Sequence, residues 1–166
     1  MTNPDAGEPS GPGKVALLFD PPCAGVNAAD LRRFAGRAHK LACLSGPVDI
    51  LISGDERLHE LNRRFRGKDK PTDVLSFPTH DGKGGDLAIS ADTAAANAIR
   101  YGHTLSDELK VLILHGMLHL AGYDHERDNG EMASREQVLR ARLGLPPALI
   151  ERSRKPARLK RVARLV

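Results

Sequence analysis

Apolar and polar positions recur along this chain in two periods, and the switches between them divide it into elements. Lys14 to Asp20 is a short apolar run closed by Pro21 and Pro22, which predicts a first strand. From Ala28 to about Leu44, residues Leu31, Phe34, Ala35, Ala38, Leu41 and Ala42 fall on one helical stripe, with Asn27 placed as N-cap and Gly46-Pro47 as the stop. Val48 to Ile52 predicts a second strand. Ser53 and Glu56 then read as a capping box for a helix through Phe65 that buries Leu58 and Leu61. A polar loop from Arg66 to Thr72 precedes a third strand, Val74 to Phe77, bounded by Pro71 and Pro78. The Gly-rich Asp81 to Gly85 leads to a fourth, Asp86 to Ile89, expected beside the third as in a hairpin.

Ser90 is positioned to cap a helix over Ala91 to Arg100. Ser106, with Asp107 and Glu108 in the first turn, is expected to start the next one. That helix is apolar nearly all round: Leu109, Leu112, Ile113, Met117 and Leu120 form one stripe, with Val111, Leu114 and Leu118 away from it. Such a helix belongs at the centre of a domain. Gly116 falls on the stripe, where its missing side chain lets another element pack closely. Asn129 reads as the cap of a last helix to Leu143, and Gly144 with Pro146 and Pro147 ends the domain.

The order strand, helix, strand, helix, strand, strand, helices predicts an α+β fold in a single domain: a small four-stranded mixed sheet with helices, and a central buried helix. Residues 14–144 form this domain. Residues 1–13, rich in Pro and Gly, are expected to be a disordered extension, and 145–166 a basic C-terminal tail.

Composition narrows the setting. A chain of 166 residues can bury a core without disulfides. Cys23 and Cys43 form no C-x-x-C pair, which suits a reducing compartment and small buried hydrophobes. The N-terminus lacks the basic start and apolar run of a signal peptide, and the longest apolar runs are too short for a bilayer. A soluble cytoplasmic protein with no membrane partner is expected. The net charge of +4 is uneven: residues 151–166 hold seven basic side chains against Glu151, or +6, which leaves −2 on residues 1–150. A tail of that kind suits phosphate, although a merely solvated extension has the same composition. With no tryptophan and few aromatics, base stacking is poorly supplied; Phe65, Phe77, Tyr101 and Tyr123 are the candidates.

The strongest chemical signal lies in His115-Gly-Met-Leu-His119-Leu-Ala-Gly-Tyr-Asp-His125. Two histidines four apart share one helix face, Gly122 offers the left-handed turn that ends a helix, and His125 follows three residues later. Histidines on an apolar helix are often core residues, but three at this spacing point to a metal. Three protein ligands with an open fourth position are the arrangement of catalytic zinc sites. The spacing matches the long metalloprotease signature except that Gly116 replaces the glutamate that serves there as general base, which counts against peptide chemistry.

Arg63, Arg64, Arg66, Lys68 and Lys70 face only Asp69 in the segment before the third strand. A guanidinium beside a metal could hold a phosphate by two parallel hydrogen bonds; an ordinary solvated loop is the competing reading. Asp73, Asp86, Asp124 and Glu126 are the candidates for a carboxylate that orients a ligand histidine. His39, His59, His80 and His103 have no partner at metal spacing and read as surface or packing residues.

Three segments in this order, Arg66 to Pro78, Gly85-Asp-Leu87 and His115 to Glu126, resemble the YbeY family of bacterial endoribonucleases over roughly residues 14–144. The resemblance implies a zincin-like α+β domain. It implies one zinc ion per chain on His115, His119 and His125, and catalytic roles for Arg66 and His115. It further implies cleavage of single-stranded RNA, maturation of the 16S ribosomal RNA 3′ end, ribosome quality control and association with the ribosomal small subunit. The route of attack stays open between direct attack by metal-bound hydroxide, proton uptake by a nearby group such as Asp124 or Glu126, and attack by the ribose 2′-hydroxyl. A metalloprotease or amidase and a non-catalytic assembly factor with a structural metal are the alternatives. Oligomeric state is not legible in the sequence.

Overall fold

The structure, a computed structural model, describes residues 15–146. The expected 1–13 extension and nearly all of the basic tail lie outside the described residues. In chain order the elements are β1 (Val15–Phe19), α1 (Ala28–Leu41), β2 (Val48–Ser53), α2 (Asp55–Arg66), β3 (Val74–Pro78), β4 (Gly85–Ser90), α3 (Ala91–Tyr101), α4 (Leu105–Leu120) and α5 (Glu131–Leu143).

The four strands form one mixed sheet in the order β1-β2-β4-β3. β1 runs parallel to β2, with Val15 opposite Val48, and β2 runs parallel to β4, with Val48 opposite Gly85. β3 and β4 make the expected antiparallel pair, from Val74 opposite Ile89 to Pro78 opposite Gly85, which leaves β3 on a sheet edge.

Alternation along the strands sends Leu17, Val48, Ile50, Ile52, Leu87 and Ile89 to one face. There they meet Leu31, Phe34, Ala35 and Ala38 of α1, most of α4, and Met132 and Leu139 of α5. Every residue of α4 from Glu108 to Leu120 is buried except Lys110 and His119. Each fully buried Leu or Ile on that helix contributes roughly 1.5–3 kcal/mol, so α4 is the best-anchored element of the domain. Lys110 meets Asp30 of α1 at 2.8 Å, with its ammonium over the Phe34 ring. The opposite sheet face is covered over β3 and β4 by α2, through Leu58, Leu75 and Ala88.

Local signals held less well than periodicity. α1 stops at Leu41, three residues early, because Cys43 takes a left-handed backbone and the chain turns back there. Ser53 does not cap α2. Its hydroxyl donates to the Asp20 carbonyl, and Asp92 of α3 accepts from the Asp55 backbone N–H. Thr104, not Ser106, caps α4 by accepting from the Asp107 N–H at 3.1 Å. Asp128, not Asn129, serves α5, accepting from the Gly130 and Met132 N–H groups; these hold its carboxyl below the usual range. Cys43 is exposed and Cys23 half-buried, so neither is the buried hydrophobe expected of it.

Candidate metal centre and cleft

His115 and His119 project from one face of α4. Gly122, at φ +98°, turns the chain just past the helix, a conformation open to glycine at little cost, and the loop returns with His125. The three rings gather with centroids 4.8, 5.2 and 5.3 Å apart, and one nitrogen from each lies within 4.8 Å of the others. The Nε2 atoms of His115 and His119 are 3.2 Å apart. Two nitrogens bound to one zinc at about 2.0–2.1 Å would sit near that separation.

Two further observations fit a metal. Burial, reinforced by His115 and His125, pushes the His119 pKa down to about 4, so this ring is neutral at pH 7 with a lone pair to give. The Nδ1 of His125 is buried with no hydrogen-bond partner, a costly condition for a nitrogen that has nothing to bind. Three imidazoles are a donor set suited to zinc and similar transition ions.

The carboxylate behind the site is Glu136. It is buried on α5, and its Oε1 lies 3.3 Å from Nδ1 of His115, which leaves the His115 Nε2 to face the other rings. None of the four acids proposed from sequence has this position. Asp86 lies on the opposite face of the sheet beside Asp49, largely open to solvent, and partial desolvation, followed by that neighbour, raises its carboxyl. Asp73, Asp124 and Glu126 line the cleft without bonding a histidine. A signal for Glu136 was present: an acid at i+4 from Met132 and i−3 from Leu139 shares their buried stripe.

The histidines open into a cleft of about 550 Å³ whose walls include Arg66, Asp73, Ser76, Tyr123, Asp124 and Arg127. Arg66, the last residue of α2, lines the cleft, and the loop that follows it is pinned by Asn62, whose side-chain amide donates to the Lys70 carbonyl. His59 and Asp69 pair at 2.6 Å. The one acid of this segment is thereby engaged, and among the described residues Arg63, Arg64, Arg66, Lys68 and Lys70 form no ion pair with a carboxylate. Burial pushes the Asp73 carboxyl up, with His115 pulling partly against it. Arg127, overlooked in the sequence, adds a second guanidinium to the cleft, 3.5 Å from Asp124. Of the remaining histidines, buried His39 bonds the Gly46 carbonyl and His103 bonds Glu108, as packing residues do.

A small α+β domain with a three-histidine group at the end of its buried helix, opening into a cleft lined by the unpaired Arg66, defines a class of small domains built around a candidate metal site. A family model described as Endoribonuclease YbeY matches residues 30–144. Endoribonuclease YbeY of Koribacter versatilis is 55% identical over 143 residues, covering 86% of this chain and 94% of that one. The same-named protein of Solibacter usitatus is 49% identical, covering 86% and 97%. TM1509 from Thermotoga maritima, known from its solution structure, aligns with a TM-score of 0.58 at 28% identity over 78% of this chain and 88% of that one. The chain belongs to the endoribonuclease YbeY family.

Proposed function

We propose that this protein is a zinc-dependent, single-strand-specific endoribonuclease acting in 16S ribosomal RNA 3′ end maturation and ribosome quality control, with the ribosomal small subunit as partner. The observation that carries this reading is the meeting of His115, His119, His125 and Arg66 in one cleft, in a chain whose relatives bear the name endoribonuclease. Among the described residues no helix is long and apolar enough to cross a membrane, and both cysteines are free. We assign the protein to the cytoplasm.

His115, His119 and His125 would hold the ion, with Glu136 fixing the His115 ring. A zinc ion there would polarise a phosphoryl oxygen and activate a nucleophilic water. Arg66 takes a non-bridging phosphate oxygen pair with its planar fork and balances the charge that grows on them. Asp73, Asp124 and Glu126 line the same cleft and are the acids there that can take up a proton. A 2′,3′-cyclic phosphate end would assign the attack to the ribose 2′-hydroxyl.

The test is metal content together with single-turnover cleavage of a defined precursor RNA by wild type, His119→Ala and Arg66→Ala. About one zinc per chain is expected in wild type, with loss of metal and cleavage in His119→Ala. Arg66→Ala should keep its metal and lose roughly a hundredfold or more in turnover, with lysine a poor substitute. Deleting residues 151–166 should instead weaken binding and flatten its salt dependence. An Arg66→Ala defect that low salt repairs would return Arg66 to the solvated loop. Metal-loaded wild type that cleaves peptides and no RNA would overturn the whole reading.

A further inference from the structure

The chain has four phenylalanines, two tyrosines and no tryptophan, and Phe65 is the one aromatic residue whose side chain is mostly in water, at 59% exposure. It sits next to Arg66, which lines the cleft, at the C-terminal end of α2. Phe77, packed against the Leu58, Leu75 and Ala88 cluster, meets the Phe65 ring edge-on with centroids 5.7 Å apart. That contact sets the ring's direction while more than half of the residue stays exposed. The Arg64 guanidinium lies 5.3 Å from the ring centroid, over one face. Arg64 has no carboxylate partner, so it can swing to cover a second planar group.

An exposed ring is unfavourable where nothing covers it, and the chain has placed this one between Arg64, which lies over it, and Arg66, which lines the cleft, neither of them paired with a carboxylate. A flat π-surface beside a row of guanidinium and ammonium groups is the chemistry that binds single-stranded nucleic acid: the cations follow the phosphates and the ring stacks on a base of any identity. Paired RNA cannot use it, because its bases are already stacked and only a splayed base can lie on the ring. On the same sheet face, Asp86 stands opposite Phe77 and beside Asp49, which disfavours phosphates in that direction and steers the strand along the α2 end.

We propose that Phe65, with Arg64 over it, is a stacking subsite for one unpaired nucleobase flanking the phosphodiester held at Arg66. The subsite rests on the endoribonuclease reading above and supplies a reason for single-strand selectivity that the metal centre lacks. The histidines and Arg66 act on a phosphodiester common to paired and unpaired RNA, whereas the ring requires an unstacked base.

The test uses the full-length zinc-loaded protein and single-stranded RNA oligomers that carry one abasic ribose at successive positions around the cut. Half-saturating concentrations are measured in single-turnover cleavage for wild type, Phe65→Leu and Phe65→Trp, with melting temperatures as the check on folding. In wild type, one abasic position beside the cut should weaken binding about tenfold. Phe65→Leu should bind intact RNA about that much more weakly and no longer respond to that abasic position, while Phe65→Trp restores both properties. A general loss of apolar bulk would not couple to one base position. Phe65→Leu binding intact RNA like wild type, or losing equally on every oligomer, overturns the subsite and leaves the endoribonuclease reading standing; Phe65 is then a protein-docking or idle residue. Wild type that cleaves none of the oligomers overturns both.

Discussion

Ser76 Oγ donates a hydrogen bond to the carbonyl of Gly116 at 3.3 Å, joining the edge strand of the sheet to the central helix one residue past His115. The approach depends on a hydrogen atom where other residues have Cβ. A Cβ at 116 would lie 2.8 Å from Leu87 Cδ2 and 3.4 Å from the Ser76 hydroxyl. The residue that breaks the protease signature is thus the residue that lets the sheet seat against the site.

Gly116→Glu should therefore not produce a protease. Its carboxylate would enter the packed space held by fully buried Leu87, and a loss of about 2 kcal/mol or more is expected. Gly116→Ala should be much milder. Better helix propensity, worth about 1 kcal/mol, offsets displacement of a Leu87 methyl. Denaturant unfolding of the two variants, with a peptide-cleavage assay on the first, checks this; a stable, proteolytic Gly116→Glu would contradict it.

Glu136→Gln should weaken metal binding by about 10–100-fold without unfolding the domain, because the amide keeps the shape but loses the charge that strengthens His115 as a donor. Competition with a chelator of known affinity gives the number. An unchanged affinity would make the 3.3 Å contact a packing feature alone.

The metal-free protein should lose stability as pH falls from about 6.5 to about 4. His119 has its pKa lowered from 6.5 to about 4 in the fold, so within that window the unfolded chain binds a proton that the folded chain refuses. The unfolded state is favoured accordingly. Above pH 6.5 neither state is protonated there and the effect vanishes. Melting temperature against pH, for metal-free wild type beside His119→Ala, should show a shallower acid slope in the variant. With metal, proton competition at His119 should begin only near pH 4.

Thr104→Ala should cost about 1 kcal/mol and Ser106→Ala less than about 0.5 kcal/mol. Thr104 accepts the Asp107 N–H at the start of α4. Thermal unfolding of the pair ranks them, and the reverse order would restore Ser106 as the cap.

Periodicity and spacing are local properties, and what depends on them was legible along the chain. The stripe on α4 predicted a central helix because a helix apolar on all sides can only be buried, and the i, i+4 histidines shared a face because 3.6 residues make a turn. The antiparallel β3-β4 pair followed from two short apolar runs joined by a glycine-rich turn. Tertiary structure decided where one group had to be chosen among several of the same chemistry. Asp73, Asp86, Asp124, Glu126 and Glu136 are alike as acids, and only the docking of Met132 and Leu139 against the core put the last of them behind His115. Asp92 rather than Ser53 serves the Asp55 N–H because α3 passes there. Arg66 lines the same cleft as the histidines, and Phe65 is exposed beside it, because α2 packs through Leu58 on Leu75 and Ala88 of the sheet. These contacts join residues from different elements, and their geometry exists only once the sheet and helices have packed.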